Sequence, residues 1–183
     1  MSPRARTATG LTGAAGEYYV AAELSRRGWL ATVTIKNAPG TDVLAQRRET
    51  KRTAAIQTKT SATGARWRLG AQDENVSPSD DEWYVLVDLT REAERPDFYI
   101  LPRNYVAAFL WVSHRRWLSI PGRGGRKHRD NPQRTIVADW ISDAKERWEL
   151  LEHGSTKACR ALGTAWIVEM AEQFGLPPGH PGF

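Results

Sequence analysis

The chain has 183 residues, of which 40% are hydrophobic and 26% are charged, enough for one soluble domain with a sizeable core. No apolar run approaches the ~18 residues of a membrane span, and no apolar stretch follows the N-terminal arginines, so we expect no secretory signal. The single cysteine, Cys159, excludes an internal disulfide and, with the missing signal, predicts a reducing cytoplasm.

The predicted elements start with a helix over residues 12–27, which ends at Gly28. Then follow strands at 30–35, 43–48 and 53–60, a polar loop at 61–82, strands at 83–89 and 98–101, and helices at 104–114, 142–153 and 157–174. This order predicts an α/β fold of three layers, in which a central mixed β-sheet lies between helices and further helices follow at the C-terminus.

The domain organisation follows from the same pattern. We expect a flexible leader at 1–11, one domain at 12–153, a helical segment at 154–175 that packs on it, and a flexible Pro/Gly-rich tail at 176–183.

Positive charge is concentrated in two blocks of the sequence. Residues 1–70 carry a net charge of +8 and residues 99–135 carry +7, whereas residues 71–98 carry −7. If the fold brings the basic blocks to one side, that face would attract the phosphates of a nucleic acid. A generally basic surface that only aids solubility is the alternative.

The first helix carries an acid at an unusual place. On a helical wheel of about 100° per residue, Glu17 lies among Val20, Ala21 and Leu24, whereas Glu23 falls on the opposite side. A carboxylate on a buried face is costly unless a cation pairs with it. The alternative is that Glu17 lies in an open first turn, where the helix dipole favours acids.

The hairpin at 43–60 gathers polar residues at one end. With its turn near Thr50, Asp42 lies opposite the segment 57–59, and Gln57 and Lys59 share one face because side chains alternate. A carboxylate, an amide oxygen and the backbone carbonyl of residue 58 are oxygen ligands suited to Mg²⁺, which can lower the pKa of a bound water. The neighbouring lysine can orient that water or stabilise developing charge.

These residues resemble the PD-(D/E)xK nuclease superfamily, which has a restriction-endonuclease-like fold. The similarity lies in Glu17, the segment Gly40-Thr41-Asp42 and the segment Gln57-Thr58-Lys59. The stretch Gly-Glu-Tyr-Tyr-Val-Ala-Ala-Glu-Leu followed by Gly-Trp is similar to the first helix of the Holliday-junction-resolvase-like branch. The resemblance covers residues 13–101 and weakens after that.

The resemblance implies a role for each residue. Asp42 is the metal-binding acid, Lys59 the catalytic lysine and Glu17 the helix acid, with Glu17, Asp42 and Gln57 around Mg²⁺ or Mn²⁺. Gln57 stands where the superfamily usually has an acid, as in its Mrr-like branch, which removes one negative charge from the metal site. The resemblance implies a DNA endonuclease that leaves 5′-phosphates, and a catalytically inactive nucleic-acid-binding module of the same fold is the alternative.

An unrelated α/β interaction protein is a further alternative, in which Glu17 and Lys59 form a buried ion pair. In that protein, losing one partner costs about 3–5 kcal/mol of stability.

Further polar residues are candidates for DNA contacts: Ser61, Arg66, Arg68, Arg123, Arg126 and Lys127. Loop and surface roles without a ligand are the alternatives for all six. The tryptophans at 83, 111, 117, 140, 148 and 166 are predicted to lie in the core or between helices. The apolar faces of the last two helices could also pair two copies of the chain, so a homodimer is an expectation.

Overall fold

The computed structural model describes residues 9–35, 40–91, 94–163 and 165–183. Four helices lie in this part of the chain: α1 (Thr9–Arg26), α2 (Arg103–Ser119), α3 (Ser155–Leu162) and α4 (Ala165–Phe174). The strands described there are β1 (Trp29–Val33), β2 (Val43–Arg47), β3 (Thr53–Ser61), β4 (Arg66–Gly70), β5 (Glu82–Asp88), β6 (Asp97–Pro102) and β7 (Gln133–Val137). The predicted leader at 1–11 lies largely outside the described residues, and α1 begins at Thr9.

The central sheet is mixed and has the strand order β1-β2-β3-β5-β6. Only the β3–β5 pair is parallel, and the other neighbouring strands in this sheet run antiparallel. Helix α1 contacts β1, β2 and β3, and α2 contacts β5 and β6. The predicted mixed sheet with flanking helices is therefore confirmed.

The register of the hairpin places its side chains. Val43 pairs with Ile56, so Asp42, just before β2, lies opposite Gln57. Because side chains alternate along β3, Ala54, Ile56 and Thr58 are buried on one face, while Gln57 and Lys59 point to the other face and are only partly buried. The predicted gathering of polar residues at this end of the hairpin follows directly from the register.

Helix α1 covers the Ile56 face of the sheet with a different stripe from the one predicted. Val20 and Leu24 are fully buried as expected, but Glu23 is also buried, at 6% exposure, and Glu17 is only half-buried. The prediction that Glu23 faces solvent is wrong, because Arg27 and Arg95 bind its carboxylate. The stripe is therefore centred between Val20 and Glu23, and Glu17 lies at its edge.

A two-stranded ribbon of β4 and β7 covers part of the other face. The Trp67 indole N–H donates to the carbonyl oxygen of Val87 at 3.0 Å, and its ring meets the Tyr99 ring edge-on at 5.3 Å between centroids. Residues 61–82 were predicted to be mostly loop, so β4 is a correction. Its five residues find their partner strand more than sixty positions along the chain, which no local pattern reveals.

The C-terminal region is less regular than predicted. Residues 138–144 and 148–152 form 3₁₀ turns in place of one helix, and two helices, α3 and α4, stand where one was predicted at 157–174. Both α3 and α4 pack on α2. The segment 176–183, predicted to be a flexible tail, also contacts α2 through Phe183 against Tyr105 and His180 against the Asn104 carbonyl.

None of the described helices is both long enough and apolar enough to cross a bilayer.

Candidate active site

A polar cleft of about 380 Å³ opens where the hairpin meets β5 and the start of α2. Gln57 and Lys59 of β3 form one wall, and Gly40 and Thr41, which lead into β2, form the rim beside them. These two predicted site residues line the same cleft because side chains alternate along a strand, which places positions 57 and 59 on one face.

Asp42 lies directly behind this wall. Its backbone N–H donates to the Ile56 carbonyl at 2.8 Å, and its carboxylate Oδ2 accepts a hydrogen bond from the Thr58 N–H at 2.7 Å. β2 begins only at Val43, so the Thr58 N–H has no strand carbonyl opposite it. The Asp42 carboxylate accepts its hydrogen bond instead. This contact fixes Asp42 between Gln57 and Lys59 along β3.

The oxygens around Asp42 fit a hard divalent cation. Since the N–H and C=O of one strand residue point to the same edge, the Thr58 carbonyl lies on the Asp42 side. The Thr58 and Thr60 hydroxyls are buried and have no hydrogen-bond partner among the described residues. One carboxylate, one carbonyl and the Gln57 amide suit Mg²⁺, which commonly binds few carboxylates and completes its shell with water and substrate phosphate.

The acid count of this site is low. Within the described ranges, no three His, Cys, Asp or Glu side chains are grouped as metal ligands. The candidate centre around Asp42 rests on neutral oxygens for its other ligands, so its affinity for a cation should be modest.

Glu17 belongs to α1, which packs on the opposite face of the sheet from Gln57 and Lys59. The preceding residue, Gly16, is buried against the Thr60 side chain, one position beyond Lys59. This part of α1 therefore lies beside the end of β3 that carries Lys59. Lys59 makes no ion pair with a residue that the structure describes, so the buried Glu17–Lys59 pair of the interaction-protein alternative is not formed.

The cleft also contains a group that the sequence did not reveal. The Tyr84 hydroxyl donates to Asp73 Oδ1 at 2.5 Å, and Arg103 Nη1 donates to the Asp73 carbonyl at 2.7 Å. Gly70 N–H donates to Asp73 Oδ2 at 2.7 Å, which fixes the carboxylate. Tyr84 was predicted as part of an apolar strand and Asp73 as loop, and only the fold brings them together.

This group gives the cleft a second cation beside Lys59. Arg103 lies over the Tyr84 ring at 5.4 Å and remains partly exposed. Burial raises the pKa of the Tyr84 phenol above its ordinary value, with its hydrogen bond to Asp73 acting in the same direction. Tyr84 therefore stays a neutral donor, and Asp73 and Tyr84 hold the Arg103 guanidinium at the cleft.

The residues predicted to contact DNA divide into two groups. Ser61 is buried and its hydroxyl donates to the Gly64 carbonyl, so it closes the turn after β3 and is withdrawn from the surface. Arg66 and Arg68 are exposed on the outer face of β4, since the buried Trp67 points inward between them. Arg123, Arg126 and Lys127 are exposed just before β7, which pairs with β4, so the two basic blocks meet there.

No protein-family model matches the sequence, and no curated protein matches it. Among solved structures, the chain is similar to Hjc, a Holliday junction resolvase from Archaeoglobus fulgidus, with 14% identity, a TM-score of 0.46, and coverage of 77% of this chain and 96% of the resolvase. It is also similar to the bacterial homing endonuclease I-Ssp6803I, with 15% identity, a TM-score of 0.47, and coverage of 82% and 96%. Values in this range describe only a similar general course of the chain.

Proposed function

We propose that the chain is a metal-dependent endonuclease that hydrolyses phosphodiester bonds in DNA. The observation that carries the proposal is the Asp42 carboxylate on the Thr58 N–H, with Gln57 and Lys59 directed into the cleft from the same short segment of β3. This arrangement would combine a cation site with a lysine at an open, polar end of a sheet. No competing ion pair occupies Lys59 within the described residues.

Asp42, the Gln57 amide oxygen and the Thr58 carbonyl would hold the ion, Mg²⁺ or in its place Mn²⁺, with Glu17 assisting through water. When bound, the ion polarises a phosphate and lowers the pKa of a coordinated water. Lys59 would donate hydrogen bonds from its ammonium to a phosphate oxygen or to the attacking water, which would stabilise the charge that develops in the transition state.

Arg103 completes the electrostatics of the cleft. Its guanidinium is held by the carbonyls of Asp73 and Gln72 at 2.7 and 3.4 Å. A phosphodiester in the cleft would lie between this group and Lys59, two cations that attract phosphate oxygens. We assign Arg103 to binding the DNA backbone.

The test is cleavage of supercoiled plasmid and of branched DNA with Mg²⁺ or Mn²⁺. Asp42→Asn and Lys59→Ala should each reduce the rate by at least about 100-fold, as expected for removing a group that acts on developing charge. Lys51→Ala, in the hairpin turn, is the matched control and should cut like the wild type. Equal cutting by Asp42→Asn and the wild type would remove the nuclease proposal.

A non-catalytic nucleic-acid-binding module is the second candidate. The neutral Gln57 favours this candidate, because the metal site then has one negative charge fewer to bind a cation. In that case none of the proteins cuts either substrate, whereas binding is tight, salt-sensitive and unaffected by Lys59→Ala. A cytoplasmic location and the pairing of two copies remain predictions from the sequence.

A further inference from the structure

Two tryptophans predicted to be buried are exposed. Trp117, near the end of α2, is 38% exposed, and Trp140, just after β7, is 55% exposed. Both line one groove of about 420 Å³ on the β4–β7 side of the molecule, which we call the tryptophan groove. Exposed aromatic surface that lies together in one groove is typical of a binding site.

The two rings differ in what already covers them. The His128 ring stacks on Trp117 with 4.0 Å between centroids and an angle of 22°. Trp140 meets the Phe109 ring at 6.2 Å and an angle of 36° and is otherwise open. Trp140 is therefore the free stacking surface, and His128 ties the basic loop before β7 to the other rim.

The charges around the groove are positive. Arg66 lines it, and neither Arg66 nor Arg68 has a carboxylate partner in the part of the chain that the structure describes. The residues 122–129, which precede β7, add exposed Arg123, Arg126 and Lys127. Of the acids from 122 to 140, Asp130 is hydrogen-bonded to His114 at 2.7 Å, and Asp139 is exposed beside Trp140.

Polar groups that line the groove are available to a ligand. The side chains of Gln133 and Thr135 line the groove and form no hydrogen bond with a described residue. An amide and a hydroxyl can both donate and accept, which suits the edge of a nucleobase. The bases of a duplex are already stacked and paired, so this groove suits an unpaired base.

We propose that the tryptophan groove binds an unpaired base of single-stranded DNA, which stacks on Trp140, while Arg66 and Arg68 contact the adjoining phosphates. The proposal rests on nucleic acid being the ligand of this protein, but not on cleavage. It predicts that the protein prefers DNA with a single-stranded segment, such as a flap or an opened branch, over a fully paired duplex.

The experiment is fluorescence anisotropy with labelled oligo-dT and a duplex of equal length, in EDTA so that no cleavage interferes. Trp140→Ala should weaken oligo-dT binding by about 5- to 150-fold, the range for one stacked base. Trp140→Phe keeps an aromatic ring and should retain most of the wild-type affinity. Arg66→Gln should lower the slope of log K against log salt by about 0.7. Tyr18→Ala and Arg160→Gln change exposed residues elsewhere and should bind as the wild type does.

Three results would overturn the groove. The first is oligo-dT binding by Trp140→Ala that is as tight as that of the wild type. The second is a loss of affinity by the same factor for the duplex and for the single strand. Trp140→Ala could also dissociate a dimer in sedimentation velocity while leaving oligo-dT binding unchanged, which would make the groove a self-association surface. The two proposals fail separately: if no protein cuts DNA but oligo-dT binding in EDTA still depends on Trp140, the nuclease proposal fails and the groove stands.

Discussion

Glu23 is the buried carboxylate of the first helix, and its removal has a calculable consequence. Its side chain is 8% exposed, and both oxygens accept hydrogen bonds from Arg95, at 3.0 and 2.9 Å. Arg26 donates to it at 3.0 Å and Arg27 also donates. The hydrogen bonds from Arg95 lower the pKa of Glu23 from 4.5 to about 2, with help from Arg27 and against the effect of burial.

The pKa shift converts to a free energy of unfolding. At about 1.36 kcal/mol per pKa unit, the depression corresponds to about 3 kcal/mol. Water around the partly exposed Arg95 reduces this to about 2–3 kcal/mol. Because the folded-state pKa is depressed, the stabilisation is complete above pH 4.5 and is lost as the pH falls toward about 2.

Urea unfolding of Glu23→Gln against the wild type measures this contribution. The variant should lose about 2–3 kcal/mol at pH 7, and the difference should shrink steadily from pH 4.5 to pH 2.5. Glu169→Gln on the exposed side of α4 is the matched control and should change stability by less than about 0.5 kcal/mol. A Glu23→Gln protein as stable as the wild type at pH 7, or a difference independent of pH, would refute the reasoning.

Three further predictions concern the site, the first helix and the cysteine. Gln57→Glu adds a carboxylate beside Asp42 and should tighten Mg²⁺ binding at least about tenfold by isothermal titration calorimetry, whereas unchanged affinity would argue against a cation there. Gly16→Ala places a Cβ against the Thr60 side chain, nearest to its Oγ1 and 3.0 Å from its Cβ, and should cost about 1–2 kcal/mol in urea unfolding, while Gly13→Ala, with open space around it, should stabilise by about 0.5–1 kcal/mol. Burial raises the pKa of the Cys159 thiol to about 12, so the native protein should not react with a thiol reagent at pH 8 until urea unfolds it, and rapid native labelling would contradict the buried position.

The hairpin and the adjacent buried strands could be predicted because their signals are local. Gly28 ends α1 with a φ of 83°, a conformation that favours glycine, and the turn at 49–52 sets the register that places Asp42 opposite Gln57. The alternation of β3 then determines that Gln57 and Lys59 share a face. The candidate site around Asp42 could therefore be predicted from the hairpin sequence.

Other features depend on partners that are distant in the sequence. Glu23 is buried because Arg95, 72 residues away, binds it, and a helical wheel contains no information about that arginine. Asp73 joins the cleft because Tyr84 of β5 and Arg103 of α2 bind it there.

The sequence by itself determined the elements whose hydrogen bonds and side-chain periods close within a few residues: the first helix, the hairpin with Asp42, Gln57 and Lys59, and the apolar strands 82–88 and 97–102. The tertiary structure alone decided the pairing of β4 with β7 and the exposure of Trp117 and Trp140. Burial is a property of what packs on a residue, and for these residues the packing partners come from parts of the chain that no local pattern connects.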